Sequence, residues 1–287
     1  MPAMDPAVRA AYETCRRLHR RHDPTYYWAT RRLPAPLRPA THALYGYVRT
    51  ADEIVDGPRR PPTPEARRAA LDAWEAELQA GLDAGRSAHP VVGALVDAAT
   101  RHRLPLHELG PYMRSMRLDC APVRIETWEE LEVYMDGSAG SVGRIMAALL
   151  GVPERQRAGF GSLGQAFQLT NFVRDVREDA ELDRVYLPAE DRARVGVGEG
   201  DLRAERATPE LRALVADQVG RARALFAAAE PAVAAAPASV RTGIRLACGA
   251  YGAILDRAEA ARFDVLGRGV GLRPWHLPLV LRGAGFR

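Results

Sequence analysis

The chain has 287 residues, 47% of them hydrophobic, enough to bury a large core in one domain or two. All 40 of its basic residues are arginine, which excludes a lysine Schiff base and a P-loop lysine. The net charge of +4 is carried by arginines that alternate with acids, the pattern of solvated helix faces, so nucleic acid is not an expected partner.

No segment reaches the roughly 18 uncharged apolar residues that span a bilayer. The N-terminal region carries Asp5, Glu13 and many arginines without an apolar stretch, so no signal peptide is expected. Cys15, Cys120 and Cys248 are scattered, with neither a disulfide framework nor zinc spacing, which fits thiols in a reducing compartment. The expected location is cytoplasmic.

Helical periodicity dominates and alternating strand patterns are scarce. A first helix is predicted over 6–21. Another follows Pro39, with Leu44, Val48, Ala51 and Val55 as its apolar stripe, and Gly57-Pro58 stops it. The Pro-rich stretch 57–64 is a loop, and helices resume over 65–82 and 91–102. Thr127 with Glu130 reads as a capping box, opening a helix over 131–150 that glycines interrupt. A long helix is predicted over 156–179, and 184–188 leaves it. Two further helices cover 210–229 and 240–262, with 230–237 as the turn between them. The expected architecture is one all-α domain over 1–287.

Two acidic clusters stand out. Asp52-Glu53-Ile54-Val55-Asp56 and the stretch from Asn171 to Asp179 each hold aspartates four residues apart, one face of a helix. On the second helix Gln168, Asn171, Asp175 and Asp179 share a narrow arc, while Leu163, Ala166, Phe167, Leu169 and Val173 lie opposite, suited to a core. Carboxylates so close resist ionising together, and a divalent cation removes that conflict. Oxygen ligands, few per ion, suit Mg²⁺ bridging to phosphate. The bland alternative is a solvated acidic helix end, with Arg174 and Arg177 as partners. Arg49 precedes Asp52 by three residues, one turn away, where it can grip a phosphate. Gly137, Gly140 and Gly143 make a small-residue side, suited either to an apolar ligand or to close helix packing. No HExxH, no Gly-x-Ser-x-Gly and no strand-led Gly-rich nucleotide loop is present; the glycines of 159–164 follow no strand.

With these motifs the chain resembles the phytoene/squalene synthase family, the head-to-head prenyl-diphosphate condensing enzymes. The resemblance spans nearly the whole length. It is carried by Thr25-Tyr26-Tyr27-Trp28-Ala29-Thr30-Arg31-Arg32-Leu33-Pro34, by Ala43 to Arg49 leading into the first acidic motif, and by Ser115-Met116-Arg117-Leu118-Asp119. It continues through Tyr134 to Gly143, Gln168-Leu169-Thr170-Asn171-Phe172-Val173-Arg174-Asp175-Val176 and Arg184-Val185-Tyr186-Leu187-Pro188, and looks most like bacterial phytoene synthases.

The resemblance implies an all-α isoprenoid-synthase helical bundle around a central apolar cavity. It implies Mg²⁺ (Mn²⁺ as substitute) held by Asp52, Asp56, Asp175 and Asp179 with Asn171 nearby, and diphosphate held by Arg49, Arg174 and Arg268. Tyr26, Tyr134, Gln168, Tyr186 and Tyr251 match positions lining the reaction cavity. The implied reaction joins two geranylgeranyl diphosphates into phytoene, ending in proton loss, so NADPH is not expected. Squalene-type coupling of farnesyl diphosphate, a terpene cyclase and a non-catalytic assembly partner are the alternatives. Arg177, the Glu181-Leu182-Asp183 stretch, Asp136 and Glu53 depart from the family pattern without removing an implied metal ligand. The mix of arginine with Phe263, Trp275, Leu277, Leu279, Val280, Leu281 and Phe286 over 262–287 suggests either peripheral membrane contact or a packed final helix.

Overall fold

The computed structural model describes residues 5–267, 269–272, 276 and 280. Helix starts follow local capping chemistry. Asp5 accepts from the Ala7 amide to open α1 (Pro6–His22), and Asp23 accepts from the Tyr26 amide to open α2 (Pro24–Thr30). Helix α3 (Arg38–Asp56) carries the first acidic motif in its last turns and stops at Gly57. Thr63 caps α4 (Pro64–Ala84), which ends where Gly85 takes a left-handed conformation at φ 67°. Helices α5 (Pro90–His102) and α6 (Leu109–Leu118) complete the first half.

Thr127 caps α7 (Trp128–Met135) as the sequence predicts, its hydroxyl accepting from the Glu130 amide. Glu130 reaches back to the Glu126 amide, one residue beyond the cap amide that the usual reciprocal bond takes. The helix then widens into a π-helical turn, Asp136–Gly140, before α8 (Ser141–Leu149). The predicted helix over 156–179 is two helices: α9 (Arg157–Arg174) and α10 (Val176–Glu181), with a break at Asp175. The Asp175 amide still donates to Asn171 O and the Asp179 amide to Asp175 O, both at 2.8 Å, so the four-residue spacing survives the break. Two short strands, β1 (Val123–Arg124) and β2 (Arg184–Val185), pair in parallel and follow no sequence signal. After α11 (Ala189–Val195), α12 (Pro209–Ala235) runs straight through Pro231, so the predicted turn shrinks to Ala236 and Pro237 before α13 (Ala238–Ala260).

One core gathers side chains of α1, α3, α4, α5, α6 and α8, including Leu44, Tyr47, Leu71, Leu95, Met113 and Ile145. A second gathers α7, α9, α12 and α13 through Leu131, Met135, Leu169, Val173, Leu211 and Leu255. The glycine segment serves close packing: a Cβ on Gly143 would lie 2.2 Å from Phe160 O, and one on Gly164 would lie 2.4 Å from Ala139 O. The glycines of 159–164 are helix interior, as their lack of a preceding strand implied. The fold is all-α. Among the described residues no helix is long and apolar enough to cross a membrane.

Candidate active site

The first core carries one acidic motif and the second core carries the other, and both border a cavity of about 440 Å³. From α3 come Val48, Asp52, Val55 and Asp56; from the junction of α9 and α10 come Asn171, Arg174, Asp175 and Asp179. Gln168 and Phe172 extend that second wall. Between them stand Tyr112 and Met116 of α6, Asp119 just beyond it, Tyr134 of α7, and Arg184 with Tyr186 at β2. Ser138 enters from the π-helical turn. Periodicity puts each aspartate pair on one helix face, and the packing of the two cores brings those faces to one space.

The four motif aspartates are not equivalent. Arg184 grips Asp56 with both guanidinium nitrogens, at 2.5 and 2.8 Å, and Arg174 grips Asp175 at 2.5 and 2.7 Å. Among the described residues Asp52 has only the Tyr112 hydroxyl as a hydrogen-bond partner, which lies 3.0 Å both from Asp52 Oδ1 and from Val48 O and divides one proton between them. Loss of solvation raises Asp52 to about 6, and raises Asp179, further pushed by the Asp175 charge, to about 7.

The donor set fits a hard divalent cation. Asn171 Oδ1 is buried without a hydrogen-bond partner, while the same side chain bonds the Tyr251 hydroxyl, leaving one amide oxygen for a ligand. Among the described residues no three Asp, Glu, His or Cys side chains are gathered into a ready metal cage. That is compatible with Mg²⁺, which uses one or two carboxylates per ion and completes its shell with water and substrate phosphate.

Not every expected residue borders the cavity. Arg49 donates to Glu53 one turn on, and Glu53 also lies 3.4 Å from His22. Tyr26 packs 5.0 Å from the His19 ring, and Tyr251 stacks on Phe167 at 4.1 Å. Arg268 lies outside the described residues, as does most of 262–287 beyond Gly267. The departures from the family pattern are tied up elsewhere: Arg177 donates to Ala204 O, Asp183 pairs with Arg124, and Asp136 pairs with Arg144 at 2.6 Å.

Sequence spacing missed Asp119, Tyr112, Ser138 and the cavity role of Arg184. Asp119 is 6% exposed and accepts from the hydroxyls of Tyr134 at 2.6 Å and Tyr186 at 2.8 Å. Its signal was chemical, not periodic: a lone acid just past a helix, inside a stretch already matched to the family.

The family model for squalene/phytoene synthase matches residues 19–276. A phytoene synthase of Thermus thermophilus is 37% identical, with 98% of this chain and 93% of that one covered. The chain belongs to the squalene/phytoene synthase family. Like other members of this family, it is a prenyltransferase. A phytoene synthase of Arthrospira platensis is 33% identical over 98% of this chain and 95% of its own. Among solved structures, a dehydrosqualene synthase in complex with ligand superposes with a TM-score of 0.88 at 23% identity, covering 97% of this chain and 96% of that one. Squalene synthase HpnC from Alicyclobacillus acidocaldarius superposes with a TM-score of 0.83 at 29% identity, covering 91% and 97%. The family's helical fold is the one described above.

Proposed function

We propose that this prenyltransferase condenses two geranylgeranyl diphosphates head to head into phytoene, through a cyclopropylcarbinyl diphosphate and with release of both diphosphates. The observation that carries the reading is the facing of two acidic helix ends across one cavity that Tyr112, Tyr134, Phe172 and Tyr186 also line. Phytoene synthases as relatives at 33–37% identity support it. The whole of 1–287 is read as one catalytic domain.

In this reading Asp52, Asp56, Asn171, Asp175 and Asp179 hold Mg²⁺, for which Mn²⁺ can substitute. The cation, when bound, neutralises diphosphate oxygens and makes diphosphate a better leaving group. Arg174 releases Asp175 to meet the diphosphate, and Arg49 and Arg268 serve the same anion. Tyr134, Tyr186 and Phe172 offer ring faces to the allylic cation left behind, and Gln168 bounds the prenyl chains, which would have to extend beyond the described cavity to meet Tyr26 and Tyr251. The second prenyl double bond attacks that cation. A second ionisation, rearrangement and proton loss complete the product, so no hydride from NADPH is needed. The described cavity supports this division: its aspartates and arginines can serve diphosphate while its rings shield charge from water. A peripheral membrane contact through 262–287 suits an apolar product; equal partitioning of full-length and truncated protein onto anionic liposomes would rule it out.

The likeness to squalene synthase HpnC favours one second reading, coupling of farnesyl diphosphate. Purified protein incubated with Mg²⁺ and geranylgeranyl diphosphate, then with farnesyl diphosphate with and without NADPH, distinguishes them by mass spectrometry. A forty-carbon hydrocarbon is expected. A thirty-carbon or cyclised product would replace the reading, and no product with no diphosphate released would leave a non-catalytic assembly role. Asp52→Asn and Asp175→Asn are expected to abolish turnover in folded protein.

A further inference from the structure

Asp119 occupies an unusual position for a buried acid. Its two carboxylate oxygens each take one phenolic proton, Oδ2 from Tyr134 at 2.6 Å and Oδ1 from Tyr186 at 2.8 Å. Both tyrosines border the cavity, their rings 5.1 Å apart, and Phe172 stacks on Tyr186 at 4.1 Å. The backbone oxygen of Asp119 accepts from Arg184 at 2.8 Å, the same guanidinium that grips Asp56 of the first acidic motif. One residue thus ties the aromatic wall to the acidic wall.

A phenol has a single proton to donate. The Tyr134 hydroxyl also lies 3.4 Å from the Tyr186 oxygen, but its shorter bond is to Asp119, so both protons stay inside this trio and neither hydroxyl has a donor left for anything in the cavity. What they offer is oxygen lone pairs, ring faces and the charge of the carboxylate behind them, all of which favour a cation. Arginine and metal ligands act on the departing diphosphate; this trio acts on what the diphosphate leaves. We propose that Asp119 is a positioning residue that locks Tyr134 and Tyr186 as acceptors toward the allylic cation, and so governs whether the cation is coupled or lost to water. The inference rests on the prenyl-coupling reading above.

Asp119→Asn keeps the shape but not the acceptor pair. The amide oxygen still takes one phenolic proton, while its NH₂ donates to the other phenol and turns that proton away. The cation then meets a wall with less negative charge. Water captures part of it, forming a C–O bond and releasing a proton to solvent, which yields a prenyl alcohol. Wild type should release two diphosphates per coupled hydrocarbon. In Asp119→Asn the ratio should rise at least about three-fold, with prenyl alcohol making the balance and KM for the prenyl diphosphate changed less than about three-fold. Tyr186→Phe, which leaves Asp119 charged and bonded to Tyr134, should raise the ratio less. A ratio that stays at two in Asp119→Asn while kcat falls would overturn the proposal.

Ultraviolet resonance Raman spectra supply a readout independent of turnover. The tyrosine doublet in the difference between wild type and Tyr186→Phe should report a strongly donating phenol, and Asp119→Asn should weaken the donor signature of the whole protein. An unchanged doublet in Asp119→Asn overturns the clamp. If wild type releases diphosphate without any coupled product, the coupling reading fails and the role assigned to Asp119 fails with it, even where the Raman signature upholds the hydrogen bonds.

Discussion

Among the described residues each acidic motif pairs one aspartate held by an arginine with one that is not: Asp56 and Asp175 are gripped, Asp52 and Asp179 are left to the cavity. The consequence is clearest at Asp179. Its ordinary value is 3.8, and lost solvation with the Asp175 charge lifts it to about 7 in the fold. The native state therefore binds this proton more tightly than the unfolded chain. That contribution is fully present below 3.8 and is lost as pH rises through about 7. Because the carboxylate borders an open cavity, we discount the limiting linkage to ~1–2 kcal/mol. Asp179→Asn should remove the liability: the metal-free variant should melt roughly 2–6 °C above wild type at pH 8 and level with it near pH 4. The same substitution should abolish turnover, the usual exchange of stability for function. Melting curves in EDTA across that pH range check this, and a gain that does not vary with pH would refute the assignment.

Close helix contact is what the glycines buy at the scale of elements. At Gly164 an added Cβ would meet a backbone carbonyl, Ala139 O, which has no flexible end to swing away. Gly164→Ala should therefore cost ~1–3 kcal/mol by urea titration. Gly220, exposed inside α12 with nothing near its missing Cβ, is the control, and Gly220→Ala should gain ~0.5–1 kcal/mol. Equal effects at the two sites would mean that helix propensity, not packing, governs both. The helix start at Thr127 was legible because a cap acts within three residues, whereas the caps at Asp5 and Thr63 emerged only in the fold. The seven residues of α2 are too few for periodicity to register, and Gly110-Pro111 masks the start of α6 although Leu109, Tyr112, Met113 and Met116 keep its spacing. The aspartate pairs were legible for the same local reason. The Arg184 contacts to Asp119 and Asp56 were not, because they close across 65 and 128 residues of chain and no local pattern encodes them.

At the scale of the molecule the candidate site is a seam. Helix α3 belongs to one core and α9 to another, so the two sets of oxygen ligands are brought together only by the packing of those cores. No closed cage stands ready among the described residues. A cation bound to either wall alone would keep most of its water and gain little, whereas a diphosphate between the walls can supply the missing oxygens to both. Metal and diphosphate should then bind cooperatively, each raising the affinity of the other by the same factor. A ligand pair present at 100 times its effective dissociation constant stabilises the native state by ~2.7 kcal/mol, or roughly 5–10 °C in a chain of this size. Thermal unfolding should thus shift little with Mg²⁺ alone or inorganic diphosphate alone, and by that larger amount with both together. Asp52→Asn on α3 and Asp175→Asn on the opposite wall should each remove the joint shift, because either change disables one side of the seam. A full shift from Mg²⁺ alone would mean that the protein closes its own metal cage, and the division of ligands between protein and substrate would have to be abandoned.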